Sequence, residues 1–596
     1  MQPVHHYIRL TEHLPHAAVG QPVPITQDEI AAILCCTPRN AKLIVKKLAE
    51  QNWIHWQPGR GRGNTSLLTL QIAPADLLFS LAQELVRTGD IRTASGLIEP
   101  YAAELPALRT RYESWLSSHF GYHAGGASGT PDILRITHSN PLNHLDPALC
   151  ILRSETHLVK HIFDTLVTRD PETGAIRPHL AHHWEIGADG TRYTFYLRKS
   201  VLFHNGTTFT ARDAAFTIER MKQESFYPWM VAGVKEVTVR NDLTLEVQLD
   251  APNQLFLHFL SSERAAIVPQ VYCTRIGEDF ARLPVGSGPF KVIRNDDTML
   301  ILEAFTPYFR ERAFLDRIEI WFMTEPSVEA TMQYNQENSG WATSGQLERS
   351  FQMLTFNLNK EGPQQHPAFR KAFALLLDRQ QLIADLGGLR SAPATRFDVR
   401  LEPELTASDD TPRHDPTHIR ELLAESGYDG EPLLLSTYFD DDHIEDAEWL
   451  QSRCSAFGIP LIIRPLPYRE MITMENIAAS DLILDGATME DDTEMSYLDL
   501  LLTRSSFLTD HLSPEQRSRN DQTIRTLLQK ATRSERLALL QEMESQLLEQ
   551  YAVLPLYRLF ITVSTRPELH GVTLNSQGWV DYRNLWLKEG HSASNI

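Results

Sequence analysis

Thr26 and Thr37 each stand directly before a run with helical periodicity, and the segment between them has room only for a short helix and a tight turn. Thr26 with Glu29 three residues on makes a capping box, which satisfies free amides at a helix start and opens the run Ile30, Ala31, Ile33, Leu34. This helix ends near Cys36. Thr37 then supplies a cap hydroxyl and Pro38 a first-turn residue whose missing N–H costs nothing there, so a second helix begins almost at once. At about 100° per residue, Ala41, Ile44, Val45 and Leu48 share one face and Arg39, Lys42, Leu43 and Lys46 the other. Trp53–Trp56 and Ser66–Leu70 read as strands around a turn, Pro58–Asn64, that carries Arg60 and Arg62 at its tip. Tyr7, Ile8, Leu10 and Leu14 supply a supporting helix. Residues 1–70 therefore read as a winged helix-turn-helix (α+β), with Arg39, Asn40, Lys42, Leu43, Lys46, Lys47, Arg60 and Arg62 as candidate DNA contacts. The same turn lacks the GxxxxGK[ST] pattern and precedes a strand, which excludes a phosphate-binding loop.

Charge separates this module from the rest. The chain has 56 basic and 76 acidic residues, net −20, yet residues 1–70 hold seven Lys/Arg against four Asp/Glu. An acidic body is repelled by DNA phosphates, so duplex binding has to be concentrated in the N-terminal module. Few cations give modest affinity unless the protein is a homodimer, in which case inverted half-sites about 34 Å apart are expected.

With 596 residues and 42% hydrophobic content the chain has core enough for several domains. Five cysteines (Cys35, Cys36, Cys150, Cys273, Cys454) lack metal-ligand spacing and suit reduced thiols. No apolar run reaches signal-peptide or membrane-span length, so the expectation is a cytoplasmic protein with no membrane partner.

Residues 71–130 read as a helical spacer, with one helix from Pro74 to near Gly89 and another over Leu105–Phe120. The run 121–131, rich in Gly and small residues, is expected to be a flexible boundary. Beyond it strands and helices alternate. Ile133–His138 reads as a strand, Ser154 as the cap of a helix with the stripe Leu158, Val159, Ile162, Phe163, and Asp189-Gly190 and Asn205-Gly206 as tight turns.

Several segments of this part resemble the family-5 extracellular solute-binding proteins of the oligopeptide/dipeptide type: LDPAL from Leu145, HIFDTLVTRDPETGAIRPHLAHHWE from His161, LPVGSGPFKV from Leu283, FLDRIEIWF from Phe314, LTFNLNKEG from Leu354 and HPAFRKAFALLLDRQQLI from His366. With the N-terminal module, RSETHLVKHIF from Arg153 and GWVDYRNLW from Gly578, the whole chain resembles the SgrR-type regulators, named for sugar-phosphate stress. The resemblance implies a two-lobed α/β clamp over 131–590, with lobe one at 131–357 and 553–590 and lobe two at 360–552. Leu354–Asn359 and Leu554–Phe560 would be the hinge crossings. It also implies transcription control in response to a small solute: a sugar phosphate, a sugar or a peptide. The alternative is a transport-associated binding protein serving an ABC uptake system.

Peptide binders of this family place a Trp and an amine-holding Asp in a segment resembling DLxxxGWxADYxD. Here Asp481–Asp492 has Ala487 at the tryptophan's place and Glu490 at the acid's. The candidate ligand contacts are Asn357, Asp485, Glu490, Asp491 and Tyr557, and a sugar phosphate would also want an arginine in the cleft. His157 and His161, one helical turn apart, are expected to be solvated, and His179, His182 and His183 to mark a helix end. No nucleophile elbow, zinc-protease helix, Walker loop or dinucleotide fingerprint occurs, so neither catalysis, metal nor cofactor is expected.

Overall fold

The computed structural model describes the chain except residues 1, 15–16, 60–64, 102–104, 126–129, 324–341, 403–414, 504–506, 566–568, 576–578 and 589–596. Its N-terminal part contains α1 (Gln2–Glu12), β1 (Pro22–Ile25), α2 (Gln27–Ile33), α3 (Pro38–Glu50), β2 (Ile54–Gln57) and β3 (Ser66–Leu70). The caps form as the residue types dictate. The Glu29 amide donates to Thr26 Oγ1 at 3.2 Å, the Thr26 amide donates to the Glu29 carboxylate at 2.7 Å, and the Asn40 amide donates to Thr37 Oγ1 at 3.3 Å. Between α2 and α3 the chain turns through Cys35 at φ 49°, a left-handed conformation that lets the second helix start without a glycine. β3 lies between β1 and β2 in an antiparallel sheet. Ile30, Ala41, Val45, Leu48 and Leu68 close a core with Tyr7 and Leu10 of α1.

That core does not stop at residue 70. α4 (Pro74–Arg87), α5 (Ile91–Ile98) and α6 (Pro106–Ser117) extend it to Met299, Trp321 and Met323 of the following domain. Phe120 meets the Trp321 ring edge-on, with centroids 6.1 Å apart. After α4 the chain reverses at Gly89, φ +85°, where an added Cβ would come within 2.8 Å of Met299 Cε. The boundary expected to be flexible is in part sheet: β4 (Gly121–His123) pairs antiparallel with β5 (Ile133–His138). Tyr122 is buried there, and its apolar ring gives the short edge strand a reason to stay attached.

Lobe one is built on two larger sheets. The five-stranded one runs Phe290–Asn295, Met299–Ala304, Arg317–Phe322, β5, β4, and the four-stranded one runs Val234–Asn241, Thr244–Leu249, Arg192–Leu197, Ala181–Ile186. One face of the first carries Met299 and Trp321 toward the N-terminal helices; the opposite face packs Leu300, Leu302, Ile318 and Ile320 under Leu158, Val159 and Ile162 of α7 (Arg153–Ile162). The alternation of a strand thus joins the N-terminal module to α7 through one sheet. Ser154 is not the cap of α7. It lies inside the first turn, where Glu155 instead accepts from the Ile151 and Leu152 amides at 3.4 Å.

Lobe two is built on a five-stranded sheet ordered Leu461–Leu466, Leu433–Tyr438, Leu482–Ala487, Phe351–Phe356, Val553–Pro555. Both expected crossings therefore move outward. Leu354 pairs with Leu484 and Leu554, which places these segments inside lobe two. Tyr557–Thr565 pairs with Arg390–Pro393 on one side and Ala342–Leu347 on the other. The chain then returns to lobe one, where Tyr582 and Leu585 are buried in its core.

Candidate functional site

Two features stand out on this scaffold. The first is α3. Its Ala41, Ile44, Val45 and Leu48 are buried, while Arg39, Asn40, Lys42, Leu43, Lys46 and Lys47 are all exposed. Leu43 is 61% exposed, an aliphatic side chain left in solvent among cations. Lys46 makes a solvent-exposed pair with Glu50 at 3.6 Å, a contact too weak to hold it back from a stronger anion. Arg60 and Arg62 lie outside the described residues.

The second is a cavity of about 290 Å³ between the lobes. Lobe one contributes Lys160 from the last turn of α7, Arg169, His258, Glu263 and Arg264; lobe two contributes Glu490, Asp491, Asp492 and Asp499, from the segment after its central strand and the helix Thr493–Leu502. Charges meet across the gap. Arg264 Nη2 is 2.9 Å from Asp499 Oδ2, and Arg169 Nε is 3.0 Å from Asp492 Oδ2. His258 Nδ1 is 3.2 Å from the same Asp492 oxygen, and the Trp229 indole N–H donates to Thr503 Oγ1 at 2.9 Å. Burial pushes the Asp492 carboxyl up, but hydrogen bonding to His258 and the Arg169 charge outweigh it and hold the carboxyl below its ordinary range. Arg264 also lies over the Tyr227 ring, 4.4 Å from its centre. The lobes are closed on each other, with cations largely on one wall and carboxylates on the other.

Deeper in lobe one, Asp164 accepts from His179 Nε2 at 2.7 Å, the Ser287 hydroxyl at 2.9 Å and the Tyr308 hydroxyl at 3.0 Å. Burial raises this carboxyl, and these donors more than reverse the effect. His179 turns Nε2 toward this carboxylate, and its Nδ1 has no hydrogen-bond partner among the described residues.

The five expected ligand contacts divide. Glu490 and Asp491 line the cavity, Asp491 paired with Arg349 at 2.9 Å. Asp485 is buried under the Tyr438 hydroxyl, which donates to it, and burial pushes its carboxyl up to about 8. Asn357 and Tyr557 are not at the cavity. The Asn357 amide donates to the Ser480 carbonyl at 2.9 Å, and its oxygen accepts from the Asn359 backbone at 3.1 Å. The Tyr557 hydroxyl donates to Asp446 at 2.5 Å. Both are committed to lobe-two neighbours, as expected once their strands belong to that sheet.

The histidines also differ from expectation. His157 and His161 are buried, because Trp579 and Tyr582 of the returning chain cover that face of α7; Tyr582 stacks on His161 at 4.8 Å. Burial pushes His161 down to about 3. His182 and His183 are exposed on the strand Ala181–Ile186, so no helix ends there. Among the described residues no group of three or more His, Cys, Asp or Glu could hold a metal ion, and no helix is long and apolar enough to cross a membrane. Lys160, Arg169, Arg264 and Asp499 escape a sequence reading, since only the meeting of the lobes brings them together.

Two family models match the chain: a sugar transport-related sRNA regulator N-terminal domain over residues 2–121, and the middle of the bacterial extracellular solute-binding proteins, family 5, over 175–507. An uncharacterized Bacillus subtilis protein, YhjP, is 36% identical over 99% of this chain and all of its own length. The HTH-type transcriptional regulator SgrR of Yersinia enterocolitica is 27% identical over 95% of this chain and 96% of its own. Among solved structures, the oligopeptide-binding protein AppA of Bacillus subtilis in complex with a nonapeptide superposes with TM-score 0.66 at 17% identity, over 77% of this chain and 99% of its own. DppA of Helicobacter pylori in complex with a peptide gives 0.65 at 19%, over 76% and 98%. These are binding and regulatory families, not enzyme families. The chain belongs to the family-5 bacterial extracellular solute-binding proteins, and within them it is an SgrR-type regulator in which the binding fold follows an N-terminal regulator domain.

Proposed function

We propose that the chain is a cytoplasmic transcription regulator in which α3 of a winged helix-turn-helix enters the major groove and the interlobe cleft senses a small solute. The observation that carries this reading is the exposed edge of α3: four cations, an asparagine and a bare leucine, backed by a helix face fully committed to the core. A cationic helix edge releases counterions from phosphates, Asn and Arg can read base edges, and an aliphatic side chain can meet a thymine methyl. The acidic remainder of the chain favours this edge as the one docking surface for DNA.

The cleft has the position and size for a sugar phosphate, a sugar or a short peptide. Arg310 and Arg583 line it; Arg583 is paired with Asp581 at 2.7 Å and Arg310 donates to the Pro178 carbonyl at 2.9 Å, and their remaining N–H groups give the cleft capacity for an anionic group. A solute changes DNA affinity only by its differential affinity for the two arrangements of the lobes, and a tenfold change needs about 1.4 kcal/mol. Selection of fragmented genomic DNA by the purified full chain tests the reading. It predicts enrichment of a discrete promoter fragment, with retention altered by at least one solute of the three classes; a chain that enriches no fragment with or without solute overturns it.

A further inference from the structure

Lys160 reaches from α7 into the cavity and holds its ammonium between acids of the two lobes, 3.8 Å from Glu263 Oε2 and 3.9 Å from Glu490 Oε2. All three residues line the cavity, and the Lys160 side chain is 37% exposed. The other carboxylates here already have cations: Asp499 has Arg264, Asp492 has Arg169 and Asp491 has Arg349. Glu263 and Glu490 share Lys160, and both also feel the nearby Arg264.

An alkylammonium between two carboxylates on the wall of a solute cleft is the arrangement that an amine-bearing ligand would bring from outside. Here the protein supplies it. The contacts are longer than the 2.7–2.9 Å of a tight charge-assisted hydrogen bond, so the ammonium balances two charges without being locked to either. Burial works against the charge on Lys160, and Glu263 and Glu490 outweigh it, so the group stays an ammonium. Glu263 is pushed up by its own burial and drawn back by Lys160. Without the lysine, the two acids would lose their shared cation and keep Arg264, which is itself paired with Asp499, and like charges so placed oppose joint ionisation.

We infer that Lys160 is a built-in plug for the amine subsite of the cleft, a specificity determinant that makes the solute admitted there one without a primary amine of its own. The inference rests on the reading of this cleft as a solute site and narrows it: peptides and amino sugars are excluded, while amine-free sugars and anionic sugars are retained.

The test is chemical rescue in the full chain. In Lys160→Ala, n-propylammonium chloride should raise the melting temperature by about 2 °C over sodium chloride at matched ionic strength, and n-propanol should not. The wild type and Lys160→Arg should respond to none of the three, and adding Glu490→Gln to Lys160→Ala should abolish the response. Where alanine yields too little folded protein, Lys160→Ser opens the same space and carries the same expectation. An equal response from wild type and the alanine variant, or no response from either cavity variant, overturns the plug. DNA retention measured on the same preparations keeps the two readings apart: amine rescue without fragment enrichment counts against the regulator only, and enrichment without rescue counts against the plug only.

Discussion

Arg264 and Asp499 face each other from opposite lobes at 2.9 Å, with the guanidinium laid over the Tyr227 ring. Charges of the protein itself bridge the closed cleft, beside an apolar core that also spans both lobes, so an entering solute competes with existing pairs instead of filling an empty electrostatic field. Removing one partner of a buried pair is costly, because the other charge stays desolvated. Asp499→Asn should lower the stability of the closed form by about 3 kcal/mol, seen as a larger radius of gyration in small-angle scattering. Arg264→Met combined with Asp499→Leu should recover most of that loss; a double variant as open as the single one would show that the pair does not hold the lobes.

Acid should weaken the fold through its buried histidines. His161 and His511 are both pushed down by burial to about 3. Between that value and the unfolded value near 6.5 the unfolded chain binds protons that the folded chain refuses. Stability therefore falls as pH drops below about 6.5, by about 1.4 kcal/mol per unit for each histidine. His161→Phe, a ring-for-ring exchange beside Tyr582 and Phe290, should remove one proton from the slope of stability against pH between 6.5 and 4, measured by denaturant melts. An unchanged slope would mean that His161 is already charged when folded.

Asp485 has the opposite sign. Burial holds its folded value at about 8, so between about 3.8 and 8 the folded chain keeps a proton that the unfolded chain has lost, and stability falls as pH rises across that window. Asp485→Asn keeps the shape and the acceptor for Tyr438 but does not titrate. It should melt higher than wild type at pH 8, with the difference shrinking toward pH 4; a difference that does not depend on pH would place the carboxyl in an ordinary state.

The joint between the N-terminal helices and lobe one should be sensitive to a side chain placed at one glycine. Gly89 has a positive φ, and a Cβ there would meet Met299 Cε at 2.8 Å and Arg294 Nη1 at 3.1 Å. Gly89→Val is expected to cost about 1–3 kcal/mol from backbone strain and overpacking. Hydrogen exchange should rise over Met299–Ala304 and Arg317–Phe322 while the lobe-two strands stay protected, and uniform protection would show that the modules do not share this core.

The parts of the molecule written in local chemistry were legible in the sequence. Thr26, Glu29, Thr37 and Pro38 act on amides within a few residues, so the two helices and their inner face could be placed from types and spacing alone. Contacts made by distant segments were not. His157 and His161 lie on what looks like a polar helix face, and only the return of Trp579 and Tyr582 buries them. Asn357 and Tyr557 look like hinge polars, but strand register commits both to lobe-two partners. The cleft was half visible, since Glu490 and Asp491 follow a recognisable strand, whereas Lys160, Arg264 and Asp499 acquire meaning only when two lobes close. The run 121–131 misled because glycine content reads as freedom, while Tyr122 anchors part of it in a sheet.

The central claim is that the exposed edge of α3 holds DNA in the same chain that carries the cleft. Its most direct measurement is fluorescence anisotropy of the selected promoter fragment titrated with wild type and with Arg39→Ala/Lys42→Ala/Lys46→Ala at several salt concentrations. The triple variant should lose at least about 100-fold in affinity and show a salt slope shallower by up to about 3, with the melting of the lobes unchanged. A triple variant that binds the fragment as tightly as wild type, with the same salt slope, would contradict it.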